Sequence, residues 1–121
     1  MGERKWTRLR QWRTIDLHLV ETRHFTRRVA GLLDDEEYRR LQLALAERPE
    51  AGHVIPGTGG LRKMRWGAAG RGKRGGLRVI YLFHPPTGAI VLFHLFAKSE
   101  RQDLTGAERE ALRRIVEQEK R

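Results

Sequence analysis

The sequence predicts an α+β domain: a small antiparallel β-sheet packed against an N-terminal helical hairpin, closed by a C-terminal helix. Three observations predict it. An alternating run at residues 14–20 precedes two stretches of helical spacing, three strand-like runs follow between residues 61 and 97, and a capped amphipathic segment ends the chain. The length of 121 residues suits a single domain, 1–121, and no linker or internal repeat divides it.

Residues 1–11, MGERKWTRLRQ, read as a frayed basic extension, with Trp6 and Trp12 packing back on the domain. In TIDLHLV, residues 14–20, Ile15, Leu17 and Leu19 alternate with Asp16 and His18, the period of a strand with one buried face. Thr22 is placed to cap a helix whose apolar stripe is Phe25, Val29 and Leu32/Leu33. Asp34 and Asp35 begin a second helix, with Tyr38, Leu41 and Leu45 on its buried face and Glu36 and Glu37 at its positive end. Pro49 stops it.

Residues 50–60 read as loop, and 61–66 as a strand with Leu61, Lys63 and Arg65 on one face and Arg62, Met64 and Trp66 on the other. A second glycine-rich basic loop spans 67–76. Residues 77–83, LRVIYLF, form an apolar strand interrupted by Arg78; the turn 84–88 joins it to a third apolar strand, 89–97, as a hairpin. Thr105 and Glu108 have the spacing of a capping box for the last helix, whose stripe is Ala107, Ala111, Leu112, Ile115 and Val116.

Charge is the main functional signal. The formal net charge is +10, with 33% charged residues. Between Glu50 and Glu100 there is no acidic residue, yet that stretch holds Arg62, Lys63, Arg65, Arg71, Lys73, Arg74, Arg78 and Lys98. Cations without internal counter-ions call for an anionic partner, and nucleic acid is the commonest polyanion. The chain has no cysteine, which excludes disulfides and thiolate metal sites. It also has no apolar run near the roughly 20 residues that span a bilayer. A cytoplasmic protein with no membrane partner is the default reading.

Several motifs tempt and fail. Gly67 to Lys73 has phosphate-loop spacing, but Arg74 stands where Ser or Thr must hold magnesium, and a strand follows instead of a helix. Gly70, Gly72 and Gly75 fit the dinucleotide pattern in the same wrong context. The histidines His18, His24, His53, His84 and His94 have no metal-like spacing, and His84 is a turn residue. His94 keeps the parity of Leu92 and Phe96; it is either a core histidine or a proton-transfer group facing an RNA groove. With carboxylates scarce among the cations, metal-assisted phosphodiester cleavage is disfavoured. The remaining route is attack by a 2′-hydroxyl, with Arg and Lys stabilising the phosphoryl oxygens. That route serves RNA and not DNA.

The segments VIPGTGGLRKMRW, GRGKRGGLRVIY and FAKSERQDLT, in this order of elements, resemble the RelE/ParE superfamily of type II toxins, and within it the HigB-like branch of the RelE toxins. The resemblance covers residues 14 to 118. It implies a RelE-like fold and a ribosome-dependent endoribonuclease that cuts messenger RNA in the A site, with no metal or organic cofactor. It also implies a cognate antitoxin carrying a helix-turn-helix domain, through which the pair meets operator DNA.

Carried onto this sequence, the resemblance assigns Lys63 and Arg65 to the 2′-hydroxyl and phosphate, either one orienting or deprotonating the hydroxyl. It assigns Arg78 to clamping the phosphate, and Lys98 and Arg101 to the basic cluster after the last strand. Ser99 stands where the best-studied form has an arginine acid, and Thr105 where it has a stacking aromatic. Lys98, Arg101, Tyr81 or His94 are the substitutes this chain offers. The expected catalytic set is thus Lys63, Arg65, Arg78 and Lys98. The expected RNA contacts are Arg62, Arg71, Lys73, Arg74, Tyr81, His94 and Arg101, on the open side of strands 61–66, 77–83 and 89–97. For Arg71, Lys73 and Arg74 a solvated basic loop is the alternative, and Trp66 and Tyr81 also read as core anchors. A gyrase-inhibiting ParE-like toxin and a non-catalytic nucleic-acid-binding module are the rival functions.

Overall fold

A computed structural model of the protein describes residues 5–12, 15–67, 76–98, 100 and 104–119. Six strands form one sheet: β1 (Lys5–Trp12), β2 (Ile15–Glu21), β3 (His53–Val54), β4 (Arg62–Trp66), β5 (Leu77–His84) and β6 (Ala89–Ala97). Their spatial order is β1-β2-β6-β5-β4-β3. Helices α1 (Arg23–Leu32) and α2 (Asp35–Glu47) follow β2, and α3 (Gly106–Glu119) follows β6. The α+β class and the helical hairpin match the sequence reading. The sheet is antiparallel except where β2 runs parallel to β6.

The strand patterns follow from what covers each face. Leu17, Leu19, Val79, Tyr81, Ile90 and Leu92 pack under α1 and α2 with Phe25, Val29, Leu41 and Leu45. Ile80, Leu82, Val91, Phe93 and Phe96 point the other way and pack with Leu61, Leu104 and Val116. Residues 77–83 are each no more than 8% exposed. A strand covered on both sides loses alternation and reads as a continuous apolar run, as LRVIYLF does.

Helix ends are set locally. Thr22 Oγ1 accepts the Phe25 amide at 3.3 Å, Asp34 and Glu37 form a capping box, and Thr105 with Glu108 forms another, at 3.1 and 2.9 Å. Glu21, 2% exposed at the end of β2, accepts hydrogen bonds from Thr26 Oγ1 at 2.7 Å and Tyr38 Oη at 2.6 Å, which ties the hairpin to the sheet.

The N-terminal extension is a correction. Residues 5–12 form β1, paired antiparallel with β2, with a register shift between Arg8 and Gln11. An edge strand draws on backbone pairing more than on burial, and the cations of KWTRLRQW that argued for a lead-in are typical of sheet edges. The side chains of Trp6 and Trp12 lie outside the description. Within the predicted loop 50–60, His53 and Val54 pair with Lys63 and Arg62 as the opposite edge. The rest of that loop is ordered by Thr58, which donates to the Ile55 carbonyl at 2.6 Å and accepts the Leu61 amide at 3.1 Å. Gly59, at φ 78°, lets the loop lie against Val116.

The β5–β6 turn closes at Gly88, whose amide donates to the His84 carbonyl at 2.9 Å. Its φ is 74°, its carbonyl accepts the His18 amide at 2.9 Å, and a Cβ there would run into the Asp16 carbonyl oxygen. Gly88→Ala therefore combines left-handed backbone strain with a backbone clash and should destabilise the fold by about 3 kcal/mol. Urea unfolding checks this; a midpoint equal to that of the parent protein would contradict it.

Candidate nucleic-acid interface

The ladder between β4 and β5 sets the geometry. Arg65 lies directly opposite Arg78, and Lys63 opposite Ile80. Directly opposed residues on one face have Cβ atoms about 5 Å apart, and diagonal neighbours are roughly 7–8 Å apart. Leu61, Lys63 and Arg65 share a parity, and Leu61 and Ile80 both pack on the α3 side. Lys63, Arg65 and Arg78 therefore share one face and one end of the sheet.

Two arginines in direct cross-strand register repel each other. Among the described residues neither has a carboxylate in ion-pair range. Arg65 is exposed and solvated. Arg78 is only 8% exposed, and among the described residues its side chain makes one long hydrogen bond, Nη1 to the Leu77 carbonyl at 3.4 Å. A nearly buried guanidinium without a counter-ion is costly to keep. A bound anion spanning Arg78 and Arg65 would relieve both the burial cost and the repulsion, and the planar donor fork of each suits phosphate oxygens.

Lys98 sits at the same end. Its amide donates to the Gly76 carbonyl at 3.0 Å, which carries the β5–β6 ladder one step past the Leu77–Ala97 pair. It lies two positions beyond Phe96, the partner of Arg78, or roughly 7 Å further along the strand. Its side chain is exposed. Arg71, Lys73, Arg74 and Arg101 lie outside the described residues, as does nearly all of the glycine-rich stretch with phosphate-loop spacing.

Two of the expected RNA contacts, Tyr81 and Arg62, lie on the face opposite Arg78, and for a third, His94, the faces read from sequence are corrected. Tyr81 is fully buried under the helical hairpin, on the face opposite Arg78. Its hydroxyl accepts the Gly52 amide at 2.9 Å and donates to the Pro49 carbonyl at 2.8 Å, and burial pushes its pKa up. It is a core anchor. Arg62 has the parity of Met64 and Trp66, which pack on the hairpin side. Its guanidinium holds the Gly52 and Glu50 carbonyls at 2.8 and 3.1 Å, so it pins the loop before β3.

His94 does not share a face with Leu92. A register shift between Ile80 and Tyr81 sets His94 opposite Ile80 and Leu92 opposite Tyr81, so Phe93 is extra and parity flips. The His94 ring meets Phe96 edge-on at 5.1 Å, and it is 8% exposed. Its Nδ1 accepts the Leu95 amide at 2.9 Å, which makes His24 Nε2, 3.1 Å away, the donor of that pair. The expected open face is also narrower than the sequence suggested. Ile55, Leu61, Leu104 and Val116 pack on it against Ile80 and Leu82.

Sequence reasoning missed the groups that finish this end of the sheet. β2 pairs with β6 only as far as Leu92, and α1 serves the edge beyond. Thr22 donates to the Leu92 carbonyl through both its amide, 3.1 Å, and its hydroxyl, 2.8 Å. Arg28 Nε donates to the Leu95 carbonyl, and its Nη2 binds both oxygens of Glu100 at 2.8 and 2.9 Å. Glu100 in turn accepts the Ala97 amide at 3.1 Å; that bond first, and Arg28 second, hold its carboxyl below the usual range. No linear spacing could flag Arg28 with Glu100, since 72 residues separate them. Among the described residues no group of three His, Asp or Glu side chains could hold a metal ion.

A family model described as the RelE toxin of the RelE/RelB toxin–antitoxin system matches residues 20–120. The match runs from the end of β2 through α3, so all the cations above lie within it and β1 lies outside. The placement of Tyr81 makes a direct prediction. Tyr81→Phe strands the Gly52 amide and the Pro49 carbonyl and should cost about 2 kcal/mol in urea unfolding. RNA affinity should stay unchanged in a filter-binding assay, whereas weakened binding by the folded variant would restore Tyr81 to the interface.

Proposed function

This chain belongs to the RelE toxin family, as the toxin partner of a toxin–antitoxin pair, and from that premise we propose that it is a metal-independent endoribonuclease that cuts messenger RNA in the ribosomal A site. The observation that carries the reading is Arg78, nearly buried, with no carboxylate partner among the described residues and standing across the ladder from Arg65.

In the proposed reaction the ribose 2′-oxygen attacks the adjacent phosphorus in line. The bond from phosphorus to the 5′-oxygen breaks, leaving a 2′,3′-cyclic phosphate and a free 5′-hydroxyl. Arg78 and Arg65 hold the non-bridging oxygens, where negative charge grows in the transition state. Lys63, next along the same face, orients the 2′-hydroxyl, whose proton passes to solvent water as the bond to phosphorus forms. Lys98, at the open end, supplies positive charge and a proton to the leaving 5′-oxygen. Arg71, Lys73, Arg74 and Arg101 extend the phosphate contacts along the RNA. Such a site needs the substrate's own 2′-hydroxyl and has no use for DNA.

The likeness of the chain to the HigB-like branch supports a cognate antitoxin with a helix-turn-helix domain, which would carry the pair to operator DNA. Action on ribosomes supports a cytoplasmic protein; no helix among the described residues is long and apolar enough to cross a membrane.

The test is to incubate the purified chain with programmed ribosomes and map new 5′ ends. Cuts should fall in phase with the reading frame. Arg78→Ala should keep its melting transition and lose about 100-fold or more in cleavage rate, the scale of removing one oxyanion-type donor. Arg65→Ala, at an exposed position, should lose activity in the same direction without any fold penalty. Intact transcripts with arrested DNA supercoiling, or salt-sensitive binding without cleavage, would each overturn the reading.

A further inference from the structure

The last turn of the site is built from three sides. The Lys98 amide is held by the Gly76 carbonyl at 3.0 Å, and the Glu100 amide closes back on the Ala97 carbonyl at 2.9 Å. The Glu100 carboxylate accepts the Ala97 amide at 3.1 Å and is gripped through both oxygens by Arg28. Arg28 itself is fixed, since its Nε donates to Leu95 and its helix is seated by Phe25 and Val29 in the core. Lys98 thus directly follows two backbone groups of β6, the Leu95 carbonyl and the Ala97 amide, that Arg28 of α1 and Glu100 hold between them.

The pair contributes little to stability, because its side chains are 29% and 43% exposed and such ion pairs are largely screened. Its geometric effect is larger. Two backbone groups on the edge that β2 leaves uncovered, the Leu95 carbonyl and the Ala97 amide, are both satisfied by it. The chain therefore leaves β6 in one direction only.

We propose that Arg28 and Glu100 are positioning residues for Lys98: by locking the turn after β6 they hold its ammonium group at the leaving-oxygen side of the phosphate that Arg65 and Arg78 grip. This rests on the endoribonuclease reading above. It adds two residues that never touch the substrate and act through a third.

Single-turnover cleavage of ribosome-bound mRNA by the full chain tests it, with Arg28→Ala, Glu100→Gln, Lys98→Ala and the two double variants that include Lys98→Ala. Each of the two clamp variants should lower the cleavage rate about tenfold or more, the scale of a sub-ångström to 1 Å misplacement, while KM moves less than about threefold. Combined with Lys98→Ala, neither should cost anything further. Losses that multiply with Lys98→Ala overturn the proposal, as does full activity in both clamp variants.

Normal cleavage by Lys98→Ala alongside a crippled Arg78→Ala overturns the proposal and leaves the endoribonuclease reading standing. Normal cleavage by both removes the two together. Should Arg28→Ala melt early, amide exchange in the folded Glu100→Gln variant decides. Faster exchange confined to Ala97 and Lys98 supports the lock, and unchanged exchange overturns it.

Discussion

The structure depends on the burial of β5 from both sides. Among the described residues, two strands and three helices act on that strand: β4 and β6 pair with it, α1 and α2 cover one face through Val79 and Tyr81, and α3 with the 55–61 loop covers the other through Ile80 and Leu82. A strand in that position accepts apolar side chains almost without exception. Arg78 is the exception, and the energetic cost of a charge there is what singles it out. Arg78 falls one residue from the start of that strand and is only 8% exposed there.

The rest of the charge distribution makes that contrast sharper. On the helices, cations are neutralised locally: Arg113 binds Glu110 and Glu117 at 2.7 Å each, and Arg40 reaches Glu36 at 3.3 Å. On β4 the face divides. Arg62 is turned inward to hold loop carbonyls, whereas Arg65 is left facing Arg78. Two arginines three residues apart thus serve opposite purposes, because positions of opposite parity on a strand face opposite sides. Stability explains the first arrangement. It does not explain the second.

α1 contributes in a way that its packing alone would not reveal. Beyond Leu92 it stands in for a missing strand, meeting the open edge of β6 with Thr22 and Arg28 while His94 turns back on the Leu95 amide. Unpaired backbone groups at a sheet edge are costly when buried and invite foreign strands when exposed. Here side chains satisfy them, and the same contacts set where β6 ends and where Lys98 begins.

Much of this was legible in the chain itself. The helix caps at Thr22, Asp34 and Thr105, the β5–β6 hairpin, and the grouping of Lys63 with Arg65 all follow from short-range rules, in which a residue's neighbours supply its partners. The acid-free stretch from 51 to 99 likewise marked a concentration of positive charge, since net charge needs no fold to be counted. Three kinds of information were not there. β1 was hidden because edge strands are held by backbone pairing that composition does not record. Tyr81 and Arg62 looked like interface residues because parity assigns a side but not which side is covered. His94 was misplaced because a single bulged residue, Phe93, inverts every parity beyond it. Cross-strand register brought Arg65 to Arg78, and Arg28 met Glu100 only when α1 docked on the edge of β6. Those contacts join residues far apart in sequence, and nothing local to either partner encodes them.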